Sequence, residues 1–163
     1  KLKTEGIKLN ISTWRRPAPN TIPWDSKAAG LYMICTLSKH EAEKQGYSES
    51  LMLDHEGNVA ESTSANVFFK DNNGELHTPV PDCFLDGITR RTVIEIAKSK
   101  NIKVHERKIS PKELSDFEGC FLTGTAAEIT PVSQIAENKY KVCDFILDLS
   151  SSYAKLVRKK KAA

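Results

Sequence analysis

Lys27 is the residue whose surroundings point most clearly to covalent chemistry. It follows a proline-rich loop at 16–23, begins a predicted helix and is followed by the small residues 28–30. Taken alone, one of the 24 lysines and arginines is usually a solvated charge. A lysine amine in crowded, partly desolvated surroundings can instead form a Schiff base with a carbonyl compound.

Glu61 is a second candidate, at the predicted end of a strand beside the small residues 62–64. Asn66 and the aromatic residues Phe68 and Phe69 follow it. Most glutamates at such positions are carboxylates in contact with water. The functional interpretation is a carboxylate held against a cationic heterocycle, where its charge would favour the protonated form of the ring.

Two loops have residues that suit the binding of an anion. Residues 85–90 (Leu-Asp-Gly-Ile-Thr-Arg) form a turn that opens into a predicted helix, and backbone N–H groups at a helix start attract anions. Residues 123–127 (Thr-Gly-Thr-Ala-Ala) follow a predicted strand, and their small side chains let a ligand approach the backbone. Each loop is weak evidence when taken singly.

Short strands and helices must position these residues. Alternating apolar residues and turn signals predict strands near 7–11, 50–54, 58–61, 65–70, 75–78, 102–107, 120–123 and 130–135. Helical spacing predicts helices near 28–46, 89–100 and 142–158, and a short one at 111–115. The first would end at Gly46 and bury Leu31, Ile34, Cys35, Leu37 and Ala42. The fold class is therefore α+β, with an antiparallel or mixed sheet flanked by helices.

Composition and charge exclude several classes of protein. The 163 residues are 39% hydrophobic and 28% charged, which is typical of one globular domain. No apolar run approaches the roughly 18 residues of a membrane span. The net charge is only +3, and the basic run 158–161 lacks interleaved aromatic residues, so we expect no nucleic-acid partner and no membrane partner.

The cysteines argue against a metal site. They are scattered, without a pair spacing or a metal-ligand spacing with the four histidines: Cys35, Cys83, Cys120 and Cys143. We therefore expect small buried thiols of a reducing compartment, a cytoplasmic location and no metal.

In combination, these features resemble the class IV aminotransferases, which are the fold-type IV pyridoxal-phosphate enzymes. The order is Lys, then Glu-x-x-x-x-Asn-x-Phe, then Leu-x-Gly-Ile-Thr-Arg, then Gly-Thr-Ala. Residues 18–32 and 121–132 look specifically like the bacterial branched-chain enzymes. The resemblance extends from about residue 7 to residue 158 and implies the large domain of that fold.

The resemblance implies a role for each candidate around pyridoxal 5′-phosphate. Lys27 would form the Schiff base and then move a proton between the substrate and the cofactor. Glu61 would keep the pyridine nitrogen protonated so that the ring remains an electron sink, and Tyr32 would hydrogen-bond the phenolic oxygen. Leu85 would pack on a face of the ring. The phosphate would bind the N–H groups of Ile88 and Thr89 and the hydroxyls of Thr89 and Thr125. The N–H of Ala126 would donate to the substrate carboxylate.

The family also has parts that this sequence does not show. An arginine from a preceding region binds the phosphate, and a small N-terminal domain covers the site. We therefore expect residues 1–163 to be the C-terminal cofactor-binding domain alone, folded but weak in catalysis, from a homo-oligomeric enzyme. No arginine stands at the matching position, and residue 65 is alanine where some branched-chain enzymes carry a second acidic residue.

The implied function of the intact enzyme is amino-group transfer between branched-chain L-amino acids (Leu, Ile, Val) and 2-oxoglutarate. One alternative is a D-amino acid aminotransferase or an aminodeoxychorismate lyase of the same class, against which residues 18–32 argue. Another is a catalytically incompetent domain, against which the intact set of Lys27, Glu61 and Thr125 argues. Amino-group transfer from leucine, compared with D-alanine and with lyase turnover, discriminates the first alternative.

Overall fold

A single mixed sheet organises the protein. The computed structural model describes residues 5–158, in which nine strands follow the order β3-β2-β1-β8-β7-β4-β5-β6, with β9 paired to β8. The strands are β1 Ile7–Arg15, β2 Glu49–Leu53, β3 Val59–Ser62, β4 Asn66–Lys70, β5 Leu76–Thr78, β6 Val104–Glu106, β7 Gly119–Gly124, β8 Glu128–Ile135 and β9 Asn138–Lys139.

The pairing of the strands confirms the predicted hairpins and adds parallel neighbours. Strands β2 and β3 are antiparallel, as are β4 and β5 and also β7 and β8. Strand β1 runs parallel to both β2 and β8, and β5 runs parallel to β6. The sheet is therefore mixed, and each parallel pair requires a connection that crosses to the other end of the sheet.

Three α-helices flank the sheet within residues 5–158. They are α1 Met33–Lys44, α2 Ile88–Ser99 and α3 Asp144–Val157. A 3₁₀ turn at Ala29–Tyr32 precedes α1, and a second 3₁₀ segment covers Pro111–Asp116. Gly46 follows α1 with a φ of 84°, which agrees with the predicted helix end.

The predicted apolar face of α1 is partly wrong. Leu37 is 45% exposed, and the buried helix positions are Cys35, Ser38 and Ala42. Ser38 tolerates burial because its hydroxyl lies 2.7 Å from the hydroxyl of Ser12 on β1 and also donates to the Ile34 carbonyl. A polar contact between distant residues thus replaces the apolar one that the periodicity predicts.

The sheet is buried on both faces. Along β4, Val67 and Phe69 face one apolar cluster, while Phe68 faces the cluster formed with α2 and α3. Phe68 stacks on Phe121 of β7 with ring centroids 5.1 Å apart. Burial of each such aromatic side chain contributes roughly 1.5–3 kcal/mol, so these central strands form a rigid base for the loops at their ends.

The burial of the thiols and the contacts of the basic C-terminal helix end can be compared with the sequence predictions. Cys35, Cys83 and Cys120 are buried free thiols, whereas Cys143 is only half-buried. Arg158 forms an ion pair with Glu128, and residues 159–161 of the predicted basic helix end lie outside the described residues. Between residues 5 and 158, no helix combines the length and apolar character needed to cross a membrane.

Candidate active site

A cavity of about 280 Å³ brings together segments that are distant in sequence. Its walls come from the loop before α1, the end of β3, the turn before α2 and the end of β7. Seven of the eight predicted site residues line it: Lys27, Tyr32, Glu61, Leu85, Ile88, Thr89 and Thr125.

Ala126, the eighth predicted residue, lies in the turn between β7 and β8, immediately after Thr125. The turn is short, because Gly124 pairs with Glu128 across it. Glu128 has a φ of 50°, a left-handed conformation that is uncommon for a residue with a side chain. Gly124 and Thr125 line the cavity, and the role of the Ala126 N–H stays a prediction.

The carboxylate of Glu61 is the most perturbed acid in the cavity wall. Its side chain is 13% exposed, with Arg16 Nε 3.5 Å from Oε1 and Asn66 Nδ2 3.4 Å from Oε2. Burial raises the pKa of Glu61 to about 8, and the charge of Arg16 opposes that rise. Burial also raises the pKa of the nearby Tyr32 hydroxyl, and the charge of Glu61 adds to that shift. A cation placed against Glu61 would stabilise its charged form.

Arg16 is a residue of the site that the sequence interpretation missed. It is only 4% exposed, although it lies at the start of the proline-rich loop. Its guanidinium donates to the Leu31 carbonyl and to Cys35 Sγ, each at 3.3 Å, and to the Cys83 carbonyl at 3.3 Å. Its partners come from three separate segments, so local sequence carried no signal of the role.

Asn66 joins the sheet to the turn that opens α2. Its Nδ2 donates to the Leu85 carbonyl at 2.9 Å, and its Oδ1 accepts from the Gly87 N–H at 3.2 Å. A Cβ on residue 87 would lie 2.4 Å from Asn66 Oδ1, so any other residue there would displace the Asn66 amide and its two hydrogen bonds.

The start of α2 is open toward the cavity. Gly87 caps the helix without a side-chain hydrogen bond, and Ile88 and Thr89 are the first two helical residues. The N–H groups of a first helical turn have no partners inside the helix, and the helix dipole adds a partial positive charge there. This end of the cavity therefore suits an anion, whereas the Glu61 end suits a cation.

Comparison with known proteins decides the family. The model of the family described as "Amino-transferase class IV" matches residues 1–135. The chain belongs to the class IV aminotransferases. This membership confirms the resemblance found in the sequence, and the similarity to solved structures confirms the predicted fold.

Two sequence relatives of this class IV chain are named as branched-chain enzymes. A probable branched-chain-amino-acid aminotransferase of Rickettsia bellii is 42% identical over 160 residues, which are 94% of this chain and 54% of the relative. The branched-chain-amino-acid aminotransferase of Escherichia coli K12 is 41% identical over 132 residues, which are 80% of this chain and 42% of the relative. The chain thus spans about half the length of these relatives.

Solved structures show the same fold at similar coverage. The branched-chain aminotransferase of Thermoproteus uzoniensis with norvaline superposes with a TM-score of 0.92 at 36% identity, covering 98% of this chain and 54% of that chain. An aminotransferase from Brucella abortus bound to pyridoxal phosphate gives a TM-score of 0.87 at 30% identity, covering 94% of this chain and 55% of that chain.

The buried carboxylate of Glu49 holds the loop that follows β3, which forms part of the cavity wall. Glu49, at the start of β2, accepts hydrogen bonds from the hydroxyls of Thr63 and of Ser64, the latter at 3.1 Å. Lys39 of α1 lies 3.5 Å from the same carboxylate. Ala65, which stands where some branched-chain enzymes have an acid, is buried and close to Gly124. The loop 62–65 is therefore held from β2 and from α1.

Proposed function

We propose that the cavity binds pyridoxal 5′-phosphate and that the whole protein transfers the amino group of branched-chain L-amino acids to 2-oxoglutarate. One observation carries the proposal, namely that a lysine, a desolvated glutamate and an open helix start line one cavity. These groups lie at 27, 61 and 88–89 in the sequence and meet only through the fold. Membership of the class IV aminotransferases supports the same reaction class.

The donors present fit this cofactor at both of its ends. Its phosphate would lie at the start of α2, on the N–H groups of Ile88 and Thr89 and the hydroxyls of Thr89 and Thr125. Its pyridine nitrogen would face the Glu61 carboxylate, and Leu85 would pack on the ring. The cavity-lining residue Thr123 has a buried hydroxyl without a hydrogen-bond partner among residues 5–158, as expected next to a polar ligand.

The residues of the chain would divide the proton transfers among themselves. Lys27 Nζ would hold the cofactor through its aldehyde carbon, whose oxygen would leave as water. Once replaced by the substrate amine, Lys27 Nζ would carry the proton that leaves the substrate α-carbon. Glu61 would hold a proton on the pyridine nitrogen, and Arg16 would help to keep Glu61 charged in its desolvated position. Pyridoxal phosphate, when bound, supplies an electron sink for the electrons left on that carbon.

The choice of substrate rests on the relatives. The two sequence relatives carry the names of branched-chain aminotransferases, and the T. uzoniensis structure contains norvaline, an unbranched amino acid. For this protein we propose branched-chain substrates, whose carboxylate would bind the Ala126 N–H. We also propose a homo-oligomeric assembly and a cytoplasmic location. Residues 1–163 would then act as the cofactor-binding domain.

A labelling experiment tests the lysine assignment without requiring turnover. The chain is mixed with excess pyridoxal 5′-phosphate, the absorbance at about 400–430 nm is followed, and borohydride reduction and peptide mapping then locate the label. We expect the absorbance change and a label on Lys27. Lys27→Ala should lose both, whereas Lys98→Ala, a change at an exposed residue of α2, should retain both.

A substrate comparison tests the reaction itself. Amino-group transfer from leucine, isoleucine and valine to 2-oxoglutarate should exceed transfer from D-alanine. A label on another lysine would contradict the site assignment. Preferred use of D-alanine would contradict the substrate assignment and leave the cofactor site in place.

A further inference from the structure

Thr123 is a buried threonine whose hydroxyl is unpaired within the described residues. It is 1% exposed, and within the described part of the chain its Oγ1 has no hydrogen-bond partner. Three other polar side-chain atoms of residues 5–158 share this state, on Asn10, Ser50 and Arg90, but none of those residues lines the cavity. Thr123 is the one of these four residues that lines the cavity, so its buried hydroxyl lies next to the space that a ligand there would fill.

Other buried threonines show what the fold normally does with this side chain. The hydroxyl of Thr78 donates to the Val67 carbonyl at 2.8 Å, and that of Thr63 donates to Glu49. Thr89 Oγ1 lies 3.4 Å from the hydroxyl of Tyr153. A buried hydroxyl without a partner is costly, and valine would fill the same volume without that cost. The unpaired hydroxyl of Thr123 is therefore better explained by a ligand contact than by packing.

The strand geometry indicates which end of a ligand Thr123 meets. Residues two apart on a strand share a face, so Thr123 faces the same side of β7 as Phe121. Thr123 pairs directly with Asn66 of β4, and the Asn66 side chain bonds to Leu85 and Gly87, so Thr123 lies beside the residue that holds the start of α2.

We propose that Thr123 is a phosphoryl-binding residue, whose hydroxyl donates to a phosphoryl oxygen of the ligand held at the start of α2. The inference rests on the proposed function, which places the phosphate of pyridoxal 5′-phosphate at that end of the cavity. Thr123 would bind the phosphate from the sheet side, while the N–H groups of Ile88 and Thr89 bind it from the helix side.

Two ligands that differ only in the phosphate test the inference. Apparent affinities of pyridoxal 5′-phosphate and of pyridoxal are measured by absorbance titration of the full 163-residue chain and its variants. Thr123→Val, which keeps the shape, should weaken pyridoxal 5′-phosphate binding by about tenfold to a hundredfold, as for a lost hydrogen bond to a charged group. Pyridoxal affinity should change less than about twofold, and Thr123→Ser should keep both affinities.

Thr78→Val is the matched control, since it makes the same substitution in a buried strand away from the cavity. Without ligand, Thr123→Val should melt at the same temperature as the wild type or higher, because it removes an unpaired hydroxyl. Thr78→Val should melt lower and keep the affinity for pyridoxal 5′-phosphate. This opposite pattern separates a ligand contact from a structural role.

Three results would overturn the inference. Equal losses of both affinities in Thr123→Val would indicate a distorted cavity, and an unchanged affinity for pyridoxal 5′-phosphate would show that the hydroxyl contributes nothing. Either result leaves the proposed function standing. A wild-type chain that binds neither aldehyde, or binds them equally well, would overturn the phosphate site itself and with it both proposals.

Discussion

Two polar clusters lie at different places on the sheet, and each contains a glutamate. The pKa values of these two glutamates are shifted in opposite directions. In the cavity, Glu61 is desolvated, and burial raises its pKa to about 8. At the edge formed by β5 and β6, Glu75 has a lowered pKa, chiefly because its carboxylate is hydrogen-bonded to His105 at 2.5 Å. Both residues are glutamates beside a basic side chain, so the difference lies in burial and in the number of donors.

The edge cluster is satisfied from within the protein. His77 stacks on His105 with ring centroids 4.6 Å apart, and Arg107 Nε donates to His77 Nδ1 at 3.1 Å. The Asp71 carboxylate accepts hydrogen bonds from the N–H groups of Asn73 and Glu75 at 2.9 and 2.8 Å. A cluster of this kind stabilises the fold, because its polar groups hydrogen-bond to one another.

The cavity shows the reverse pattern, which is typical of a binding site. Glu61 is held in a charge-unfavourable position, Thr123 Oγ1 has no partner, and the start of α2 lacks a side-chain cap. A ligand with a cationic end and an anionic end would relieve all three. The raised pKa of Glu61 and the lowered pKa of Glu75 thus agree with the other contacts of the two clusters.

The largest expected effect comes from the lysine of the cavity. Lys27→Ala should lower transamination by the protein by several orders of magnitude, because the covalent bond and the proton transfer are lost together. His105→Ala in the edge cluster should keep the rate within about threefold once folding is confirmed by circular dichroism. Steady-state rates with leucine and 2-oxoglutarate check both variants, and similar losses would erase the functional difference between the clusters.

The next largest effect comes from the cavity glutamate. Glu61→Gln should retain pyridoxal 5′-phosphate but slow turnover by about a hundredfold or more, because glutamine does not hold the ring proton electrostatically. Glu75→Gln is the counterpart at the sheet edge and should leave turnover near the wild-type value. The turnover number and the absorbance of bound cofactor are measured together. An unchanged turnover number in Glu61→Gln would mean that this carboxylate does not face the pyridine nitrogen.

Much of the fold and most of the cavity residues could be predicted from sequence, for local reasons. The predicted strands 65–70 and 75–78 around the Asp-Asn-Asn-Gly turn at 71–74 gave one hairpin, and the Asp-Gly turn predicted the start of α2. Arg16, Glu49 and the Ser12–Ser38 contact were missed. Their partners lie on other elements, up to 67 residues away along the chain, so no local pattern marks them.

The pH dependence of stability offers a smaller but more specific test of the desolvated glutamate. Because the folded pKa of Glu61 is about 8, against an ordinary value of 4.5, the folded state holds this proton more tightly than the unfolded state. The stabilisation is complete below the unfolded pKa and is lost as pH rises through about 8. Without ligand, the unfolding free energy of the wild type relative to that of Glu61→Gln should therefore fall from about pH 5 to about pH 8.

Urea unfolding at several pH values measures that trend. Glu95→Gln, at a glutamate of α2 that is 74% exposed, controls for the substitution itself. Saturating pyridoxal 5′-phosphate should flatten the trend, because a cation against Glu61 favours the charged carboxylate. A difference between wild type and Glu61→Gln that is independent of pH would contradict the raised pKa.

The smallest expected effect belongs to the edge cluster, where Asp71 closes the turn between β4 and β5. Burial raises its pKa, but the backbone hydrogen bond from Glu75 and the contacts with His77 and Asn73 bring the net pKa below the ordinary value. Asp71→Asn should cost about 1 kcal/mol of unfolding free energy at about pH 7, since the amide oxygen still accepts but the charge is lost.

The sign of the pH effect for Asp71 is opposite to that for Glu61. A lowered pKa stabilises the folded state above the unfolded pKa, and this contribution is lost as pH falls through the folded pKa. The deficit of Asp71→Asn should therefore be largest near neutral pH and shrink as the pH is lowered below about 4. Asp148→Asn removes an exposed ion pair with Lys100 and should cost less than about 0.5 kcal/mol. Equal deficits of Asp71→Asn at about pH 7 and about pH 3 would show that side-chain geometry, rather than charge, holds this turn.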